Sequence, residues 1–147
     1  MNKKLTIALV AHDNRKFDMV EWAKYNSDTL ARHHLVCTGT TGNLIQKALQ
    51  EEGIEAEITC MNSGPLGGDA EIAALVVRKQ VNLAIFLIDD LNAQPHEADI
   101  QMLLRQCRVH NVPIACNRYS ADLMITSTLW DNDDYIPSEP RYVKFNR

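Results

Sequence analysis

Apolar positions along the chain fall into short continuous runs separated by stretches of helical spacing. The runs at 5–11, 34–38, 57–61, 83–88 and 113–117 have the length of strands. The run "LAIFLI" (83–88) has the unbroken apolar character of a strand buried on both faces of a parallel sheet. Between them, Phe17, Val20, Trp22, Ala23 and Ala31 sketch an imperfect helical face over 17–31. Leu44, Ile45, Ala48 and Leu49 mark one side of a helix over 43–52, which Gly53 closes as a C-terminal cap. A helix is predicted over 71–80, and another over 98–110 from Ile100, Leu103, Leu104 and Cys107; the last begins at 121–127. From Trp130 the chain is polar and interrupted by Pro137 and Pro140, as expected of a tail (130–147) that runs over the surface or reaches a neighbouring subunit. The alternation predicts an α/β fold: one domain over 1–147, an open doubly wound five-stranded sheet, mostly parallel, with helices on both faces.

In such sheets ligands bind outside the carboxyl ends of the strands. The segments that follow the five strands are "HDNRK", "TGTTGN", "NSGPLGGD", "DDLNAQPHEAD" and "NRYSAD". Five of the six glycines lie in the second and third of them, and most of the unusual polar residues lie in the set as a whole. That concentration on one edge predicts the site.

Composition narrows the classes. Charged residues are 23% and the net charge is −4, with no basic stripe, which argues against nucleic acid as the main partner. No segment approaches the roughly 20 apolar residues of a membrane span. The start resembles a signal peptide only loosely, because "HD" stands where a cleavage site belongs. Cys37, Cys60, Cys107 and Cys116 are widely spaced, without a C-x-x-C pair, and read as buried thiols of a reduced, cytoplasmic protein.

Several segments keep two readings open. "TGTTGN" has neither the length nor the lysine of a Walker loop; Thr38, Thr40 and Thr41 either cap a helix or offer hydroxyls and N–H groups to one phosphate. Lys16 supplies a positive charge nearby. His12-Asp13 is a weak metal pair or a capping acid beside a polar histidine. Asp89-Asp90 invites comparison with phosphoacceptor domains, but the order of acids and the absence of a lysine after strand five contradict it. Asp99 either orients His96 or caps a helix by its charge. His33, His34 and His110 read as solvated residues at element edges. Asp69 is either a plain helix N-cap or, after the glycines, a carboxylate beside bare backbone. The edge thus offers an anion cradle, a carboxylate and a histidine, with no obvious metal cluster, activated serine or cofactor fingerprint. A carboxylate base with a histidine electrophile suits proton abstraction next to a carbonyl.

In their order and spacing, "IALVAHDNRK", "TGTTGNLI", "SGPLGGD", "DDLNAQPHEAD" and "NVPIACN" closely resemble the methylglyoxal synthase family over about residues 5–125. The resemblance implies a lyase that converts dihydroxyacetone phosphate to methylglyoxal and inorganic phosphate, without metal or organic cofactor. It further implies a homohexamer, with phosphate as product and inhibitor. Asp69 then resembles the catalytic base and His96 the electrophilic stabiliser, with Asp99 and Asp89 as supporting acids. His12, Lys16, Thr38, Thr40, Thr41, Ser63 and Gly64 would hold substrate or phosphate, and Asp13 would order the first loop. Arg105 resembles a position the family associates with phosphate regulation between subunits, and Arg141 or Arg147 could extend to a neighbouring site. The chain departs from the family at Asp90 and at Glu97-Ala98, where Asp-Pro pairs are usual. Those losses bear on regulation more than on the reaction. The alternative is a non-catalytic effector-binding module, like the regulatory domain of carbamoyl phosphate synthetase, which need not keep Asp69 and His96 together.

Overall fold

The computed structural model describes residues 3–142. Strands β1 (Thr6–Ala11), β2 (His34–Cys37), β3 (Glu57–Cys60), β4 (Leu83–Leu87) and β5 (Ile114–Ala115) form one sheet of order β3-β2-β1-β4-β5. All four pairings are parallel. The helices are α1 (Lys16–Tyr25), α2 (Ser27–Leu30), α3 (Gly39–Glu51), α4 (Gly68–Val77), α5 (Glu97–Val109) and α6 (Arg118–Ile125).

Alternation along the strands builds two cores. Ile7, Leu9, Leu35, Leu83 and Ile85 face one side, where Met19 and Trp22 of α1, Ile45 and Leu49 of α3 and Ile125 of α6 cover them. Ala8, Val10, Val36, Ala84 and Phe86 face the other, under Ile72 and Val76 of α4 and Ile100, Leu103 and Cys107 of α5. Both faces are therefore dry, as the apolar continuity of β4 requires. The winding direction reverses beside β1. The chain leaves β1 toward α1 on one face, and leaves its neighbour β4 toward α5 on the other. A crevice opens at such a reversal.

The structure corrects several expectations. The helix expected over 17–31 breaks at Asn26, whose side chain donates to the Trp22 carbonyl at 2.9 Å and competes with helix continuation. Its buried face is Met19, Trp22 and Ala23, while Phe17 is 76% exposed. Leu44 is also exposed, because the buried stripe of α3 runs through Thr41, Gly42, Ile45, Ala48 and Leu49. Of the cysteines, Cys37 and Cys107 are buried but Cys60 and Cys116 are exposed, at the ends of the two edge strands. His33 is buried, its Nδ1 accepting the Leu5 N–H at 2.9 Å and its ring tilted by 50° against Trp130 at 4.9 Å. Trp130 thereby anchors the start of a tail that is otherwise largely exposed through Tyr142. Gly53 caps as expected: its N–H bonds to Gln50 and that of Ile54 to Leu49, a Schellman pair.

"TGTTG" is not a loop but the first turn of α3, with Thr38 in the N-cap position. Gly42 lies where the helix crosses the sheet. A Cβ there would meet the Cys60 Sγ at 2.5 Å and the Cys37 Cβ at 2.9 Å. Gly42→Ala should therefore destabilise the fold by about 1–3 kcal/mol through overpacking. This outweighs the roughly 1 kcal/mol that alanine gains over glycine in a helix. Urea unfolding measures it, and a stabilised variant would show that α3 can lift off the sheet at no cost.

Candidate functional site

The site grows from the carboxyl ends of β1 to β4. Past β1, the His12 N–H still bonds to the Leu87 carbonyl at 3.2 Å, so the strand pairing carries His12 into the crevice. Past β2, the first turn of α3 begins. The Gly39 N–H is taken by the Asn62 carbonyl at 3.2 Å and that of Gly42 by Thr38, while Thr40 and Thr41 N–H groups have no backbone partner among the described residues. Past β3, a short 3-10 turn (Gly64–Leu66) ends on Gly67, whose φ of 103° is open to glycine and strained for other residues. Gly67 is the N-cap of α4, and Glu71 reaches back to accept the Asn62 N–H at 2.9 Å.

This settles the role of Asp69 in the helix. It sits two residues inside α4, its side chain makes no capping bond, and its exposure is 0%. Neither carboxylate oxygen has a hydrogen-bond partner. The His96 Nε2 lies 3.4 Å from its Oδ2. Burial pushes the Asp69 carboxyl above the ordinary range; the His96 charge pulls it down and the Asp99 charge pushes it up again. Gly64 makes this pairing sterically feasible. A Cβ there would lie 2.8 Å from His96 Nε2 and 3.3 Å from Asp69 Oδ1. The glycine turn thus admits the histidine and the carboxylate themselves.

His12 is held differently. Its Nδ1 accepts the Asp89 N–H at 2.8 Å, and its ring stands edge-on to Phe86 at 5.2 Å and to His96 at 5.5 Å. A neutral imidazole has one donor and one acceptor nitrogen. The acceptor is fixed at Nδ1, so the proton resides on Nε2, which is buried without a partner. Burial first, then the His96 charge, holds the His12 pKa below its ordinary value.

Around these groups lies a cleft of about 240 Å³ lined by His12, Asp13, Lys16, Thr38, Thr40, Thr41, Ser63, Gly64 and Asp69, with Pro65 and Gln94. Every residue expected to hold substrate or phosphate lines it. Thr41 is committed, its hydroxyl reaching the Ala11 carbonyl at 3.4 Å. Lys16 contacts Asp13 at 2.6 Å and the Ala11 carbonyl at 3.2 Å. Larger concavities lie along α1, beneath β5 and the tail, and on the far side of His12 over the loop that follows β4. We assign function to the smaller cleft because the orphaned buried groups face one another there.

The supporting acids are placed unequally. Asp89 is buried and accepts from Asn92 at 2.9 Å, from the Leu91 N–H at 3.0 Å and from Asn14 at 3.0 Å. These bonds, Asn92 foremost, hold its carboxyl below the ordinary range. Asp99 lies in the first turn of α5 and its carboxylate makes no hydrogen bond to the His96 ring, whose Nδ1 has no partner. Arg105 stands exposed two turns further along α5, and Arg141 is exposed in the tail; Arg147 lies outside the described residues. Sequence reasoning missed Asn14, Asn92 and Gln94, ordinary polar residues of the loops, and Glu71 on the first turn of α4.

It also missed that His12, Asp69 and His96 bring ligand-capable atoms within 4.8 Å of one another. The donor chemistry does not suit a metal. The free nitrogen of His12 carries its proton, so a lone pair is offered only by Asp69 and His96.

The family model described as MGS-like domain matches residues 18–116. A methylglyoxal synthase of Treponema socranskii is 66% identical over all 147 residues and 93% of its own length. One from Coxiella burnetii is 46% identical over 92% of this chain and 91% of its own. Among solved structures, the crystal structure of methylglyoxal synthase from Elizabethkingia anophelis NUHP1 superposes with a TM-score of 0.78 at 38% identity, covering 89% of this chain and 83% of that one.

An unpaired buried carboxylate carries a stability cost that can be measured. Folding raises the Asp69 pKa above the ordinary aspartate value of 3.8, so the native state binds the proton more tightly than the unfolded chain. The contribution of Asp69 to stability is greatest below that value and is lost as pH rises through the raised one. Asp69→Asn should therefore raise Tm at pH 7.5, by roughly 2–4 °C for each kcal/mol recovered in a chain of this size. The difference should shrink toward pH 4. A variant less stable at pH 7.5 would mean that the carboxylate has a stabilising partner.

Proposed function

The chain belongs to the methylglyoxal synthase family, and from that premise we propose how its residues turn dihydroxyacetone phosphate into methylglyoxal and inorganic phosphate. The full-length match to named synthases sets aside the effector-binding alternative. The observation that carries the catalytic reading is the Asp69 carboxylate, buried without a donor and 3.4 Å from His96.

Asp69 takes a proton from the hydroxymethyl carbon, and the C–H electrons form the enediolate. His96 and His12 lend hydrogen bonds to the substrate oxygens, where the negative charge develops. The enediolate electrons then expel phosphate by breaking its C–O bond. The enol left behind takes a proton on its terminal carbon, gives up its hydroxyl proton and becomes methylglyoxal. Desolvation serves the first step, because a carboxylate with a raised pKa is a stronger base than one in water.

The phosphate group fits the mouth of α3, where unpaired N–H groups, the helix dipole and Lys16 favour an anion. We extend the reading to a cytoplasmic homohexamer that phosphate inhibits. The exposed Phe17, Tyr25, Tyr119 and Leu123 are the kind of surface that assembly covers. No helix among the described residues is long and apolar enough to cross a membrane.

Purified protein in chelator should release methylglyoxal and phosphate in equal amounts from dihydroxyacetone phosphate. No dicarbonyl above a blank would overturn the activity. Asp69→Asn should lower kcat by about a hundredfold or more while a phosphorylated substrate analogue still binds. Near-normal turnover would remove Asp69 from the role of base.

A further inference from the structure

The His12 ring is useful as a donor only while its far nitrogen is held as an acceptor. The group that holds it, the Asp89 N–H, belongs to the loop after β4, whereas His12 belongs to the loop after β1. These two loops leave for opposite faces of the sheet, so past the last strand pairing they must be tied by side chains. Two bonds to the Asp89 carboxylate, from the Leu91 N–H and from Asn92, lie within the β4 loop itself. The third crosses between loops: Asn14 Nδ2 donates to Asp89 Oδ2 at 3.0 Å. His12 and Asn14, two residues apart, thus grip one residue, the first by its amide and the second by its carboxylate.

We propose that Asn14 is a positioning residue, which keeps the Asp89 amide on His12 Nδ1 and so holds His12 as a neutral Nε2–H donor aimed at the substrate oxygens. This rests on the reaction proposed above. The buried, unpartnered Nε2 is the observation that a ligand is meant to complete. Without the cross-loop bond, the β4 loop keeps its internal bonds but is free to drift from the β1 loop. The imidazole proton then moves to Nδ1 part of the time. In that tautomer Nε2 presents a lone pair to a substrate oxygen, and the two repel. Because the bond to His12 strengthens as charge develops on that oxygen, the loss falls on kcat more than on KM.

The test compares full-length wild type with Asn14→Ala, the isosteric Asn14→Asp and the amide-keeping Asn14→Gln, all labelled with 15N-histidine. In wild type, His12 should show an unprotonated Nδ1 and a protonated Nε2. In Asn14→Ala and Asn14→Asp, both resonances should move toward the average of two tautomers. Their kcat should fall about tenfold to 150-fold, the range expected for one hydrogen bond to a charged group, with KM within about twofold. Asn14→Gln should recover part of both readouts. A wild-type Nδ1 that carries the proton overturns the proposal. So does a variant in which kcat and the tautomer fail to move together, or in which neither moves. If wild type turned over no dihydroxyacetone phosphate, the proposed reaction would fail alone, because the nitrogen resonances still report whether Asn14 fixes the ring.

Discussion

The Asp69 carboxylate is fully buried and no donor reaches either oxygen, a placement that costs an ionised group several kcal/mol unless something arrives to compensate it. Much of the neighbouring structure can be understood as what makes that placement tolerable. The carboxylate stands in the first turn of α4, where the helix dipole favours negative charge. His96, whose Nε2 lies 3.4 Å from the carboxylate, reaches it across a position where any side chain larger than hydrogen would intrude. Glu71, one helical position removed from the cleft, takes over the bond that closes the turn. Asp69 is thereby released from capping, and its poor solvation becomes basicity.

Topology supplies the convergence. A parallel sheet places all its strand ends on one edge, and the reversal beside β1 sends adjacent loops to opposite faces. Three segments separated widely in sequence then meet: His12 after β1, Asp69 after β3 and His96 before α5. The same geometry creates the need for cross-loop ties, since diverging loops share no backbone ladder.

The sequence made the five strands, the alternation and the functional edge legible, because apolar runs and glycine clusters have local physical causes. It made less of positions whose role depends on a neighbour. Thr41 and Gly42 are polar or small, so the apolar pattern started α3 four residues late and assigned Leu44 to the core. His33 reads as a surface residue until Trp130, nearly a hundred positions later, is seen to cover it. Asp69 after a glycine turn could have been a cap, and only the coordinates show a glycine in the cap position and the carboxylate unbonded. Asn14 had no signal at all: an asparagine in a polar loop acquires meaning from Asp89, seventy-five residues away.

The two histidines illustrate how surroundings divide labour between identical side chains. His12 has an amide on its far nitrogen, so giving up its Nε2 proton would leave an imidazolate, which is prohibitive in a buried site. It can lend a hydrogen bond but not transfer the proton. His96 carries no such commitment: its Nδ1 has no partner and its Nε2 faces only the Asp69 carboxylate. Such a ring can accept a proton at one nitrogen and release one from the other. In the proposed chemistry, charge stabilisation therefore falls to both rings, and of the two only His96 is free of a bond that fixes its tautomer.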